Sequence, residues 1–302
     1  SPEKWFRWSI WIYSAGFILL LLVLILGTIG KGAQRWLDLG FFRFQPSEIM
    51  KLAVPMMLAR VMANCNSRPS GKLLLLALLL MIIPVLLIAK QPDLGTALLV
   101  ASSGLFVIFM AGVSWFYILG FFISAVAFTI PMWFYFMRDY QRQRILTMLD
   151  PESDPLGSGY HIIQSKIAIG SGGDYGKGWL NGTQSHLEFL PERHTDFIFS
   201  VYSEEFGLLG VGVLLSIYLF IIIRGIYMSS QAQGAFSRLL GSSLILTFLV
   251  YIFVNIGMVS GILPVVGVPL PLVSYGGTSM ITLMAGFGLM MSVYTHRRML
   301  AN

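Results

Sequence analysis

Asp196 stands where a polar segment of the chain gives way to a long apolar one. A helix would place it on one face, within about 40°, with four small residues: Ser200, Ser203, Gly207 and Gly210. Glu204 and Glu205 lie deeper in the same run, where an ionisable residue is costly and therefore a candidate for function. Asp196 fits a general base at a membrane interface. It also fits a helix-start aspartate that the helix dipole and Arg193 stabilise.

Further charged residues lie near the starts of two other apolar helices. Glu48 and Lys51 are an i,i+3 pair near the start of the helix predicted over 46–63. That spacing allows an ion pair that only stabilises the helix, or a carboxylate that orients a substrate beside a lysine that binds phosphate. Asp93 directly follows Pro92 and is typical of a first helical turn.

The glycine-rich run Gly170–Gly178 only partly resembles a phosphate-binding loop. Ser171 occupies the first glycine position of the Walker pattern, and Gly178 stands where that pattern needs Ser or Thr. The run therefore predicts either a backbone nest for an anion or a flexible loop. The best basic patch is either a solvated loop face or a contact for an anionic partner or lipid head group, and it comprises Arg138, Arg142 and Arg144.

The sequence gives little support for metal or disulfide chemistry. The four histidines are scattered, a pattern that does not predict a zinc cluster. The one cysteine cannot form a disulfide within this chain.

The composition predicts a helical membrane protein. The chain is 56% hydrophobic and 11% charged, whereas soluble domains carry roughly a quarter charged residues. Its apolar runs are about 20 residues long, which indicates transmembrane helices rather than alternating barrel strands. We therefore expect an all-α, polytopic fold in one transmembrane domain over residues 1–302. It would have about eight spans, at residues 8–26, 46–63, 73–89, 94–111, 115–137, 196–228, 239–262 and 280–294.

Two of the predicted connections are unusual. Residues 138–195 form a long polar loop with one interfacial helix over 161–169, and a loop of that length usually has a function. Residues 263–278 are rich in Pro and Gly yet apolar, which predicts a partly re-entrant loop covered by protein or a wet cavity. By the positive-inside rule the short basic loops are cytoplasmic, which places the long loop and nearly all carboxylates outside.

Five segments of the chain together resemble one family. Segment 255–279 resembles the diagnostic segment of the shape, elongation, division and sporulation (SEDS) family of cell-wall polymerases. Segments 43–48, 91–96 and 191–199 resemble the same family, and the motifs occur in its order. Segment 150–160 resembles the rod-shape (RodA) branch rather than the division branch. Members have further helices before the first one seen here, so the resemblance implies that N-terminal helices are missing from this sequence.

The resemblance implies a peptidoglycan glycosyltransferase. Such an enzyme polymerises lipid II into glycan strands at the outer face of the cytoplasmic (inner) membrane, for cell elongation and rod shape. Asp196 matches the essential aspartate of the family, and the other polar residues implied to matter for activity are Glu48, Lys51, Trp36, Arg43, Asp93, Thr195 and Ser274. The implied partners are lipid II, the growing strand, membrane lipids and a class B penicillin-binding protein, the transpeptidase that crosslinks the product. No nucleic-acid partner is expected.

In the implied reaction a sugar hydroxyl attacks an anomeric carbon, and polyprenyl diphosphate leaves. Asp196 would take the hydroxyl proton, a contribution of roughly 10²–10⁴-fold to the rate. The charge on the leaving group would be stabilised by Lys51, Arg43 or Arg193, or by a divalent cation such as Mg²⁺.

Other functions stay open at this point. A lipid II flippase predicts polar residues at the midplane and near both membrane faces. A non-catalytic scaffold for the penicillin-binding protein predicts that changes at Asp196 spare function. The match over 255–279 argues against a different lipid-linked sugar transferase, such as an O-antigen ligase.

Overall fold

The structure, a computed structural model, describes residues 1–30, 33–38, 40, 43–64, 69–137, 139–154, 157–186 and 194–296. These residues form eleven α-helices: α1 (Pro2–Leu26), α2 (Pro46–Ala63), α3 (Gly71–Lys90), α4 (Leu94–Met110), α5 (Trp115–Pro131), α6 (Asp139–Leu149), α7 (Ser158–Ser171), α8 (Thr183–His186), α9 (Ile198–Ser230), α10 (Ala235–Val259) and α11 (Gly277–Thr295). A π-helical turn, Met132–Phe136, continues α5, and a 3₁₀ turn, Pro151–Ser153, precedes α7.

The described helices confirm the prediction of an all-α, polytopic membrane fold. Six of them are long and apolar enough to cross a membrane, namely α1, α3, α5 with its π-helical turn, α9, α10 and α11. Helix α4 is a shorter apolar helix. Helix α2, the second predicted span, is more polar, because it carries Glu48, Lys51 and Arg60.

The chain forms two compact units. The first unit consists of Ser1–Ser114, Ile221–Val250 and Gly277–Asn302, and the second of Trp115–Phe220 and Tyr251–Gly276. The prediction of a single transmembrane domain stays a prediction, because a compact unit is not by itself a domain that folds independently.

Helix α2 is the central helix of the first unit. Helices α1, α3 and α4 pack against it, and Met50, Ala53 and Val54 are fully buried. Pro46 occupies the first helical turn, where its missing N–H costs no helical hydrogen bond. The start of α2 is therefore fixed, and Glu48 and Lys51 are held inside the unit.

A small antiparallel sheet precedes α2, where the sequence predicted only a polar loop. It contains β1 (Thr28–Gly30), β2 (Ala33–Asp38) and β3 (Arg43–Phe44), in that order. Strands this short carry little periodicity, which explains why the sequence did not predict them. Strand β2, which carries Arg35 and Trp36, contacts α2.

The predicted long loop 138–195 is more helical than expected. Helix α7 contains the predicted helix 161–169, but α6 was not predicted. Arg142, in α6, donates to the carbonyl oxygens of Trp133 at 2.8 Å and Phe134 at 3.0 Å. Arg142, a member of the predicted basic patch, therefore caps the end of the π-helical turn. Arg138, another member, lies outside the described residues.

Helix α9 is broken at Gly207, which has φ +61° and ψ −164°. A non-glycine residue with this backbone is strained. The predicted stripe of small residues from Asp196 to Gly210 is therefore wrong beyond the break, because the helical rotation does not continue through Gly207. The predicted long helix also begins at Ile198 rather than at Asp196.

Candidate active site

Asp196 lies in a turn formed by residues 194–197, immediately before α9. Asn255, near the end of α10, donates from Nδ2 to the carbonyl oxygen of Asp196 at 3.0 Å and to that of Val268 at 2.7 Å. Asn255 is fully buried. A single amide group therefore ties the aspartate to the irregular segment that follows α10.

The irregular segment 263–276 folds over the same turn. Ser274 Oγ donates to the carbonyl oxygen of Thr195 at 2.7 Å, and Tyr275 N donates to that of His194 at 2.8 Å. A Cβ placed on Gly267 would lie 3.3 Å from Oδ2 of Asp196. The segment predicted to be re-entrant thus positions the Asp196 turn through the backbone, and its glycine leaves room beside the carboxylate.

Thr195 and Ser274, both predicted to bind substrate, are brought together by this arrangement. The contact uses the Thr195 carbonyl and the Ser274 hydroxyl, which also accepts from Leu270 N at 2.7 Å. Ser274 therefore has a positioning role in the structure, and its role in substrate binding stays a prediction. Arg193 lies outside the described residues.

In the first unit, Glu48 and Lys51 form a buried ion pair. Lys51 Nζ donates to Glu48 Oε1 at 2.6 Å, and the two residues are only 4% and 5% exposed. Glu48 Oε2 is buried and has no hydrogen-bond partner among the described residues. Buried carboxylate oxygens are almost always hydrogen-bonded. This oxygen is therefore suited to accept a hydrogen bond from a bound hydroxyl.

Asp93 caps α4 and joins it to the small sheet. Its Oδ1 accepts from Thr96 N at 3.2 Å, as the sequence suggested for a residue at a helix start, and its Oδ2 accepts from Gln45 Nε2 at 2.7 Å. Arg35 lies 3.7 Å from the same carboxylate. Gln45 and Arg35 were missed by sequence reasoning, because their partner is about 50 residues away along the chain.

Arg43 and Trp36 lie on the sheet beside this cluster. Arg43 pairs with Asp38 across β2 and β3, with 3.6 Å between charged atoms, and 71% of its side chain is exposed. Such an exposed pair contributes little to stability, so the guanidinium is available to an anion. Trp36 is half-buried in β2, and its predicted role stays a prediction.

Glu204 is the centre of a third polar group, in the second unit. It is fully buried, and its Oε1 accepts hydrogen bonds from four groups: Lys177 Nζ at 2.7 Å, Thr183 Oγ1 at 3.0 Å, Gln184 N at 3.1 Å and Ser171 Oγ at 3.5 Å. The glycine-rich run 170–178 lies against the broken part of α9, where Lys177 N and Gly178 N donate to the carbonyl oxygens of Glu204 and Glu205. The sequence singled out Glu204 and the run that contains Lys177, but it did not predict that the two residues pair.

His161 of α7 packs beside the residue that follows Asp196. Its ring centroid lies 6.2 Å from that of Phe197. Burial lowers the pKa of His161, and the negative charge of Asp154 opposes that shift. The imidazole is therefore neutral at neutral pH, which suits its apolar neighbour.

Within the part of the chain that the structure describes, no three His, Cys, Asp or Glu side chains come together as metal ligands. A magnesium ion usually needs only one or two carboxylates when substrate phosphates supply the other ligands. A carboxylate such as Asp196 could supply one ligand in that arrangement, and the divalent cation stays a prediction.

The FtsW/RodA/SpoVE model of cell cycle proteins matches residues 1–299. The chain belongs to this family. The resemblance drawn from the motifs is thereby confirmed, and with the apolar helices it makes the chain a multi-pass membrane protein.

Relatives within the FtsW/RodA/SpoVE family are similar over nearly the whole chain. Peptidoglycan glycosyltransferase MrdB of Escherichia coli K12 is 60% identical over 301 residues, which is 99% of this chain and 81% of the relative. Peptidoglycan glycosyltransferase RodA of Treponema pallidum is 33% identical over 92% of this chain and 81% of the relative.

Solved structures of the family have the same fold. A chain from a peptidoglycan synthase complex that coordinates polymerization and crosslinking matches with a TM-score of 0.85 and 36% identity, over 99% of this chain and 84% of that one. The rod shape determining protein RodA of Thermus thermophilus matches with a TM-score of 0.71 and 30% identity, over 98% of this chain and 81% of that one.

Proposed function

We propose that this protein is a peptidoglycan glycosyltransferase that polymerises lipid II into glycan strands for cell elongation and rod shape. Its 60% identity to a relative named for that activity supports the proposal. The observation that carries it is the Asp196 turn. The family's diagnostic segment holds this turn through Asn255 and Ser274, and Gly267 leaves space beside the carboxylate.

Asp196 acts as the general base. It takes the proton from the acceptor sugar hydroxyl while that oxygen attacks the anomeric carbon of the donor. The bond from that carbon to the diphosphate breaks, and polyprenyl diphosphate leaves with the electron pair. A direct displacement of this kind inverts the anomeric centre and needs no covalent sugar intermediate. Base catalysis supplies roughly 10²–10⁴-fold of the rate.

The negative charge that develops on the diphosphate needs a cationic partner. Arg43 is better suited to this than Lys51, because Lys51 is buried against Glu48 whereas Arg43 is exposed. Glu48 is suited to accept a hydrogen bond from a substrate hydroxyl through its free oxygen. A cation such as Mg²⁺, brought by the diphosphate, would neutralise part of the same charge.

The protein works in the cytoplasmic membrane with its active site on the outer face, because the donor sugar and the growing strand lie there. A class B penicillin-binding protein is its partner. This proposal is supported by the family member solved within a complex that coordinates polymerization with crosslinking. A polymerase needs such a partner close by, since its product is an uncrosslinked strand.

The proposed function is tested by following glycan polymer formation from lipid II with purified protein and a class B penicillin-binding protein. We expect Asp196→Asn to lower the rate by about 10²–10⁴-fold without lowering Tm. A wild-type rate for this variant would contradict the base assignment. A wild-type protein that translocates lipid II but forms no polymer would support the flippase. A protein that does neither, while it still activates the transpeptidase, would support the scaffold.

A second assay tests the divalent cation. If the diphosphate brings Mg²⁺, EDTA should lower the rate and added Mg²⁺ should restore it. A rate that is unchanged in EDTA would contradict a cation requirement and leave charge stabilisation to the basic side chains.

A further inference from the structure

The break in α9 is filled by another part of the chain. Residues 172–184, here called the clamp loop, lie against the two broken ends of the helix. The clamp loop forms four backbone hydrogen bonds there: Lys177 N to Glu204 O at 3.0 Å, Gly178 N to Glu205 O at 3.0 Å, Leu208 N to Gly173 O at 2.9 Å, and Leu209 N to Asp174 O at 3.1 Å. Backbone groups that the break would leave unpaired are therefore satisfied by the loop.

A charge pair with a buried carboxylate and a partly exposed lysine joins the same two elements. The Glu204 carboxylate is fully buried and accepts from Lys177 Nζ at 2.7 Å. Thr183 Oγ1 accepts from Lys177 Nζ at 2.8 Å and donates to Glu204 Oε1 at 3.0 Å. A helix end that needed only backbone caps would not need a buried carboxylate, since burying charge is costly.

The short helical piece between the break and Asp196 is thus held at both ends. Residues 194–206, here called the Asp196 segment, are fixed at their start by Asn255, Ser274 and Tyr275. They are fixed at their end by the clamp loop. Because Gly207 interrupts the helix, the direction of this piece is not set by the membrane-crossing part of α9. It is set by the contacts at its two ends.

We propose that the Lys177–Glu204 pair is a positioning device that fixes the orientation of the Asp196 segment for glycosyl transfer. This inference rests on the proposed function, in which Asp196 is the base. Glu204 and Lys177 are positioning residues, because they act on the reaction through Asp196. A shift of about 1 Å in a reacting group can cost about 10²-fold in rate, so even a small rotation of the segment matters.

The test is steady-state polymerisation of lipid II by the full chain with its transpeptidase partner. Glu204→Gln keeps the shape of the side chain and removes the charge that Lys177 needs. We expect kcat to fall about 10- to 100-fold while KM stays within about 3-fold, because the substrate contacts are not touched. The matched control is Glu152→Gln, an exposed carboxylate in the same unit, which should retain the wild-type kcat.

A second measurement separates positioning from general structural damage. In an Asp196→Asn background, Glu204→Gln should cause no further loss, because a misplaced segment cannot harm a base that is already absent. Thr183→Val, at an exposed residue, removes one hydrogen bond from Glu204 and should lower kcat by a few-fold. If Glu204→Gln does not fold, the Thr183→Val variant tests the proposal in its place. Lys177→Arg should restore part of the rate that Lys177→Met loses.

The outcomes distinguish this inference from the proposed function. A fully active Asp196→Asn variant would overturn the base assignment and the positioning role with it. An inactive Asp196→Asn variant together with a fully active Glu204→Gln variant would overturn the positioning role alone. Equal losses from Glu204→Gln in the wild-type and the Asp196→Asn backgrounds would also overturn it.

Discussion

The sequence predicts that the buried Glu48–Lys51 pair either stabilises its helix or binds substrate. Each charge is withdrawn from water, and each is compensated by the other at 2.6 Å. Breaking a buried pair from one side is strongly destabilising, by about 3–5 kcal/mol, whereas replacing both members is often neutral. The pair can therefore be removed in a way that separates its two possible roles.

We predict that Lys51→Met lowers both Tm and polymerisation, because it leaves Glu48 charged, buried and unpaired. The double variant Glu48→Gln/Lys51→Met should recover most of the Tm but not the rate, if Glu48 contacts substrate. Tm and polymer formation are measured on the same preparations. Recovery of the rate along with the Tm would mean that the pair is only structural.

His161 is predicted to make the stability of the protein depend on pH. Burial lowers its pKa in the folded protein, so the unfolded chain binds the proton more readily between the two pKa values. The contribution to stability is therefore fully present above the unfolded pKa of about 6.5 and is lost as pH falls toward the folded value. We expect His161→Phe to reduce the fall in Tm between pH 7.5 and 5.5 in a thermal unfolding series. The control is His296→Phe at an exposed position, and an equal effect there would contradict the prediction.

Helix α9 is interrupted at Gly207, where the clamp loop packs against it. At Gly207, an added Cβ would meet the Gly176 nitrogen and the Asp174 carbonyl oxygen, and φ is +61°. Gly212, five residues on in the same helix, has no heavy atom within 4 Å of such a Cβ. The two glycines therefore offer a matched pair for substitution.

We predict that Gly207→Ala destabilises the protein by more than about 1 kcal/mol, because alanine is strained at this φ and displaces the clamp loop. Gly212→Ala should be neutral or stabilising by up to about 1 kcal/mol, since alanine favours helix. Thermal unfolding in detergent measures both. Similar Tm values for the two variants would mean that α9 is not broken at Gly207 in the protein.

The elements that sequence could and could not predict differ in the range of the interactions that form them. Helix α2 was predicted with both ends correct, because Pro46 and the apolar run that follows are local signals. The break in α9 was not predicted, because a glycine in an apolar run does not by itself indicate a helix break. The loop that fills the break lies about 30 residues earlier in the chain. The small sheet was missed because its strands are too short for a pattern.

The candidate site shows the same limit at the scale of the whole molecule. Asp196 was identified from its boundary position, yet the residues that hold its turn are distant in sequence. Asn255 bonds the Asp196 carbonyl from 59 residues away, and Ser274 bonds the Thr195 carbonyl from 79 residues away. The composition of 263–278 predicted a re-entrant loop, but only the resemblance to a family connected this segment with Asp196. Lys177 and Glu204 each stood in a segment that the sequence analysis singled out, but their pairing was not predicted, because they lie 27 residues apart. Long-range polar pairs of this kind depend on the fold.

The orientation of the molecule in the membrane gives the last prediction. Gln231 lies in the turn between α9 and α10, flanked by Arg224 and Arg238, whereas Glu152 lies in the long loop before Asp196. Basic residues beside short loops stay in the cytoplasm, which places Gln231 inside. The donor is displayed outside the cell membrane, so the proposed reaction requires that Glu152 and the long loop lie outside. In a Cys65→Ser background, Glu152→Cys should react with a membrane-impermeant thiol reagent in intact spheroplasts. Gln231→Cys should react only after lysis, and the reverse pattern would place Asp196 on the wrong face for the proposed reaction.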